Sequence, residues 1–320
     1  MLKEVSEFLK KHLSQFPAED QLLFNNKVIE IRKDNFTAIF KSLPPASIAF
    51  IDGGQAEIIS AGNFCLSFIR TGALAYTNNQ KSTDYKHEFY LLTIARHENN
   101  KIVYQSSIFP SLGEKLIDEQ DLVISIDVSL TRQNIQKGLE PASITQVANA
   151  ARRFAELALA AKIAASADII VLDGTLDCSY PNEEKYLAKL PAQACALAKS
   201  SSLFTVSGNS PVVLLNKLNP FGRWSYPIEG NNYFVKLHEK AKHVFRFTGN
   251  KDALPALVEN SNDALFLGYP YGLIAVDKFA RVSNEEKKAL RMKVLLQAEN
   301  KEIAEYLFAT NAHDILDNLN

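Results

Sequence analysis

Three carboxylates occupy positions from which a metal ion could be held. Asp52, in Asp52-Gly53-Gly54, and Asp173, in Asp173-Gly174-Thr175, each follow an apolar, β-branched run, and Glu156 precedes the second motif. The runs, Ser47 to Ile51 and Asp168 to Leu172, read as buried strands that deliver an acid to one edge of a sheet where each strand turns. Glycine after each aspartate lets backbone or ligand approach closely. Oxygen donors at strand ends, with no histidine or cysteine among them, suit Mg2+ or Mn2+ better than zinc, and such ions commonly serve phosphoryl transfer. Plainer readings stay open beside this one. Asp-Gly is a common way to leave a strand, and Glu156 is also placed to pair with Arg152 one helical turn earlier. Asp127, in Ile124-Ser125-Ile126-Asp127-Val128, is a further strand-like acid that reads as structural or capping.

The elements that must position these acids follow from hydrophobic periodicity. Residues 1 to 45 read as a helical lead-in with a polar connection, closed by Pro44-Pro45, and 46 to 320 as the main domain. From Ile48 to about Pro110 the pattern is that of an antiparallel meander, with Phe64 to Ile69 and Glu88 to Ala95 as strands separated by a polar link. Residues 142 to 166 read as a helix with Phe154 on its main stripe; Glu156 shares a second, partly apolar face with Leu159 and Ile163. A carboxylate bordered by buried side chains needs a partner. Pro181 to Ala198 looks helical, Tyr226 to Phe247 reads as strands broken at 229 to 232, and Asn284 to Leu307 is a charged amphipathic helix. A meander followed by alternating helices and strands is the order of an α/β mixed sheet flanked by helices.

Composition bounds the function classes. The chain has 320 residues, 47% of them hydrophobic, and 35 basic against 36 acidic residues, so no global field announces a nucleic-acid binder and any basic surface is local. The densest basic stretch holds Lys236, His238, Lys240, Lys242, His243 and Arg246; it suits a DNA backbone or a strand edge protected by charge. Cys65, Cys178 and Cys195 are odd in number with no zinc-like spacing, which fits a reducing compartment, with the cytoplasm as default. No apolar run reads as a membrane span or a signal peptide.

These motifs, in their order, resemble the NurA nucleases, DNA end-processing enzymes of archaea and some bacteria with an RNase H-like core. Phe50 to Gly54 is similar to the family's first Asp-Gly motif, Arg152 to Glu156 with Val171 to Leu176 to its paired Glu and Asp-Gly-Ser-Leu motif, and Ala198 to Ser201 to its Lys-Thr/Ser-Ser segment. Val235 to His238 with Val244 to Arg246 resembles a later strand pair, and Gly268 to Asp277 a Tyr-Pro motif that opens the last helix. In that motif the chain carries Asp277 where the family usually has histidine and Gly272 where it has a second proline.

The resemblance implies a Mn2+- or Mg2+-dependent DNA nuclease, a 5′-to-3′ exonuclease that also extends to single-strand endonuclease action, in end resection for double-strand break repair. It implies Asp52, Glu156, Asp173 and Asp277 as metal ligands, Lys199 as the group that neutralises a phosphate, and Tyr269 as one that positions the scissile group or stacks on a base. It further implies a homodimer that docks on a HerA-type hexameric translocase. Val5, Phe8, Leu9 and Leu13 of the first helix are candidates for such a contact, or for capping the sheet. Two alternatives remain: a catalytically impaired NurA-like adaptor, and an RNase H-like phosphodiesterase acting on RNA.

Overall fold

A computed structural model describes residues 1–17, 19–41, 47–125, 143–219, 221–264, 266–297 and 307. In chain order the described helices are α1 (Leu2–Ser14), α2 (Val147–Lys162), α3 (Glu184–Leu187), α4 (Pro211–Leu218), α5 (Leu254–Asn260), α6 (Tyr271–Ala280) and α7 (Asn284–Leu295). The strands are β1 (Gln21–Phe24), β2 (Lys27–Glu30), β3 (Thr37–Ala38), β4 (Ser47–Ala61), β5 (Phe64–Thr77), β6 (Gln80–Glu98), β7 (Lys101–Leu112), β8 (Ile124–Ser125), β9 (Ile169–Asp173), β10 (Ala194–Ala198), β11 (Trp224–Pro227), β12 (Asn232–Lys236) and β13 (Phe245–Thr248). Contacts divide the chain into two compact units. One comprises Met1–Pro45, Asp173–Thr175 and Cys195–Tyr271; the other comprises Ala46–Leu172, Leu176–Ala194 and Gly272–Asn320.

The second unit holds a mixed sheet in the order β9-β4-β5-β6-β7-β8, in which β9 runs parallel to β4 and every other neighbour is antiparallel. Helix α2 packs on β4 and β5, and α7 on β4. The alanines of α2 let it lie close to the sheet, and Phe154, fully buried, stacks on Tyr186 at 4.7 Å. The second apolar face of α2 is buried as expected, with Glu156, Leu159 and Ile163 all inside. In the first unit an antiparallel sheet runs β3-β11-β12-β13-β10 beside the β1–β2 hairpin. Its core centres on Trp224 and Tyr226, each met edge-on by Phe36 with ring centroids 4.9 Å apart. The mixed-sheet α/β class read from the sequence is the class observed.

Several elements differ from the sequence reading. Residues 21 to 30 form a hairpin rather than continuing a helical lead-in, and the polar stretch 80 to 87 is strand, not link. Both depend on Asn-Asn pairs. Asn25-Asn26, Asn78-Asn79 and Asn99-Asn100 each take positive φ at both residues, which is the two-residue turn whose twist matches the flanking strands. The helix expected over 142 to 166 begins as a 3-10 turn at Ile144–Gln146 and closes at Lys162, with residue 142 outside the described residues. Pro181 to Ala198 holds only the single turn α3, and Ala194–Ala198 is a strand buried on both faces, where alternation has no reason to appear. Helix α7 accounts for 284 to 295, residues 298 to 306 lie outside the described residues, and Leu307 is buried against Ile58, Ile59 and Phe68. No residue of α1 is buried, so Val5, Phe8, Leu9 and Leu13 do not cap the sheet. Asp127 lies outside the described residues.

Gly272 has a steric cause. A Cβ there would lie 2.1 Å from two carbons of the buried Phe50 ring, so neither proline nor alanine fits at this first turn of α6. Gly272→Ala is expected to destabilise the protein by about 1–3 kcal/mol through overpacking. A lowered urea midpoint checks this, and an unchanged midpoint would show that Phe50 gives way freely.

Candidate active site

The local cause of the first site is the parallel pairing of β4 and β9. Ile48 faces Ile169 and Ile51 faces Leu172 in register, and the next residue along each strand is an aspartate, Asp52 or Asp173. Asp52 is not in a turn, contrary to the sequence reading: β4 continues through Gly53 and Gly54 to Ala61. The two glycines serve close approach. A Cβ on Gly53 would lie 2.6 Å from Glu156 Oε1 and 2.8 Å from Arg152 Cγ, and one on Gly54 would lie 2.2 Å from the Ala280 carbonyl oxygen. A strand stripped of side chains here lets α2 bring Glu156 and Arg152 onto its backbone.

Asp52 is buried, and its carboxylate accepts a hydrogen bond from the Gly53 amide at 2.8 Å. Glu156, 2% exposed, accepts from Arg152 Nη1 at 2.7 Å, and Arg153 Nη1 stands 3.9 Å away. Arg152 also donates to the Gly53 carbonyl at 3.1 Å, locking helix to strand. The helix ion pair left open from the sequence is therefore present. Arg153 turns the other way, donating through Nε to Glu183 at 2.8 Å; Glu183, fully buried, also accepts from the Ser179 and Tyr180 amides at 2.7 and 3.0 Å. Asp277, on α6, pairs with Arg281 one turn later at 2.5 Å.

Asp173 ends β9, and Gly174 follows at φ +106°, with open space around it, so this glycine serves a true turn. Within the first unit Asp173 accepts from Lys199 Nζ at 2.6 Å and from the Tyr269 hydroxyl at 3.4 Å, and Lys199 Nζ sits 5.7 Å over the Tyr269 ring. The structure thus brings Asp173, Lys199 and Tyr269 together. Tyr269 is 3% exposed, packed by Phe245 at 5.2 Å and Phe266 at 6.1 Å, and offers no open face to a base. The basic stretch is not a strand edge along its length, because residues 237 to 244 connect β12 to β13. Its Arg246 is buried, 5.1 Å over the Phe24 ring, and burial pushes the Lys236 ammonium pKa down; Lys240, Lys242 and His243 remain exposed.

The donor set of Asp52, Glu156, Asp173 and Asp277 is of the type a hard divalent ion takes. Among the described residues, no three His, Cys, Asp or Glu side chains are gathered as a preformed metal cluster. Three of these carboxylates are instead charge-compensated, by Arg152, Lys199 and Arg281. The glycine contacts at Gly53 and Gly54 and the aromatic packing of Tyr269 were not legible beforehand. The paired glycines after Asp52, inside an apolar run, were the available signal for the first.

No protein-family model matches the sequence, and no curated protein matches it. The fold is that of a mixed-sheet α/β protein. It is shared with the NurA nuclease from Sulfolobus solfataricus, with a TM-score of 0.52 over 92% of this chain and 93% of that one, at 12% identity. The likeness is one of fold. Endonuclease V from Ciona intestinalis (TM-score 0.40, 13% identity, 77% and 87% of the two chains) and the catalytic domain of human endonuclease V (0.37, 8%, 79% and 85%) are more distant. No helix among the described residues is long and apolar enough to cross a membrane.

Proposed function

We propose that this protein is a metal-dependent DNA nuclease that resects DNA ends. The observation that carries the reading is the register of β4 and β9, which sets an aspartate next in each of two parallel strands, with a buried glutamate brought onto the first by glycine. The likeness of fold to a NurA nuclease supports it. Asp52 and Glu156 would hold Mn2+ or Mg2+, joined by Asp173 and Asp277 on the strength of the sequence motifs. Such an ion, when bound, supplies Lewis acidity to a phosphodiester. Arg152 pairs with the Glu156 carboxylate and holds it against the strand, Lys199 offers an exposed ammonium for a phosphate, and Tyr269 orients Asp173 and Lys199 through its hydroxyl and ring.

The motif resemblance extends the reading to 5′-to-3′ resection in double-strand break repair, to a homodimer, and to a HerA-type hexameric translocase as partner. A cytoplasmic location goes with these roles. The adaptor alternative is favoured by one observation: Arg152, Lys199 and Arg281 already neutralise three of the four acids.

Degradation of DNA labelled at its 5′ or 3′ end, in Mn2+, Mg2+ or EDTA, tests the reading and its polarity. Gly53→Ala is a sharper probe. Its methyl displaces the Glu156 carboxylate, and a misplacement of that size is expected to lower cleavage on the order of 100-fold. Cleavage at the wild-type rate would remove Glu156 from the site.

A further inference from the structure

Tyr269 is covered, but the aromatic surface it belongs to continues outward. Phe266, 41% exposed, meets Tyr269 edge-on and stacks with His243 at 5.0 Å and 28° between planes. His243 is exposed, and the buried Phe245 backs both it, at 6.4 Å, and Tyr269, at 5.2 Å. The stack is held from beneath. Gly268 takes φ +91°, and a Cβ there would lie 2.6 Å from that of Ala241, so only glycine lets the segment of Phe266 lie against the segment of His243. Backbone bonds from Gly268 to Ser261 at 2.9 Å and from Tyr269 to Phe266 at 3.3 Å fix the turn.

An isolated exposed phenylalanine is ordinary. A preorganised pair of exposed rings, continuous with a residue bound to Asp173 and Lys199, is a different object. Cations stand beside it: Lys240 and Lys242 lie on the segment of His243 against one acid there, Glu239, Asp263 precedes Phe266, and Lys199, paired with Asp173, lies over Tyr269. Aromatic faces flanked by cations are what an unpaired nucleotide needs, a π surface for the base and a cation for the phosphate. A base inside a duplex already has both faces covered.

We propose that Phe266 and His243 form a stacking platform for unpaired bases of single-stranded DNA, with Lys242 and Lys199 beside its phosphates. This rests on the nuclease reading and adds the surface, outside the acidic site, that would hold an unpaired base.

The test measures binding in EDTA, without turnover, by anisotropy of a labelled single-stranded oligonucleotide against a blunt duplex of the same sequence. The Phe266→Ala, His243→Ala double variant is expected to bind the single strand roughly tenfold or more weakly and the duplex unchanged, whereas Phe266→Trp keeps single-strand affinity. Wild-type protein should quench a 2-aminopurine base and lose affinity for an oligonucleotide with abasic sites, readouts that need no variant to fold. Equal binding of normal and abasic strands, or unchanged single-strand affinity in the folded double variant, overturns the platform. If wild-type protein cleaves DNA while these signals are absent, the platform alone falls; if it neither binds nor cleaves, the nuclease reading falls with it.

Discussion

Glu183→Ala is expected to cost about 3–5 kcal/mol of stability, the magnitude for breaking one side of a buried charged pair. Glu183 is fully buried, and its two oxygens satisfy Arg153 Nε and the Ser179 and Tyr180 amides. Removing it takes the close partner from a guanidinium that is itself 4% exposed, leaving Glu156 at 3.9 Å, and strands two backbone donors. That loss is a large share of the 5–15 kcal/mol available to a typical folded protein. Glu183→Gln keeps an acceptor oxygen for one or more of these donors and is expected to cost less. By contrast, removing Lys27 from its surface pair with Glu229 should change stability little. Urea unfolding followed by circular dichroism, with hydrogen exchange along α2, checks the ranking. A Glu183→Ala protein as stable as the wild type would mean that water reaches Arg153.

Asp173→Ala is expected to lower cleavage by at least roughly 100-fold, since even partners one step removed from a metal commonly cost 10–100-fold. Stability should change little. Asp173 is partly exposed, its pair with Lys199 is half in solvent, and the turn is carried by Gly174, which the substitution leaves intact. Lys199→Ala separates two roles of that pair. Under the present reading it weakens DNA binding and steepens dependence on substrate concentration, because the ammonium is there for phosphate. Under the adaptor reading Lys199 only neutralises Asp173, and neither variant alters a rate that is already absent.

The strand placement of Asp52 and Asp173 and the burial of Glu156 were legible because two independent patterns met: an apolar run ending in Asp-Gly, and a glutamate on a helix whose second face is also apolar. The register of β4 with β9 and the burial of Glu156 accord with that pattern. What was not legible has identifiable causes. Gly53 and Gly54 looked like a turn because glycine marks turns and close approaches alike, and only the position of α2 distinguishes them. Strand β10 looked helical because a five-residue apolar run buried on both faces has no period to read. The Asn-Asn pairs at 25 and 78 fall in stretches that read as polar connection, although asparagine's tolerance of positive φ makes such a pair, like the one at 99, a hairpin signal. Gly272 looked like a lost proline until the Phe50 ring showed why nothing larger fits.

The most direct measurement is the release of labelled nucleotide from a DNA end by purified wild-type protein in Mn2+ and in EDTA, with Asp52→Ala in parallel. Release is expected in Mn2+, none in EDTA, and none from the variant, which should unfold at a temperature close to that of the wild type. Release that persists in EDTA or in Asp52→Ala, or no release from wild type with Mn2+, Mg2+ and a translocase partner supplied, would contradict the nuclease reading.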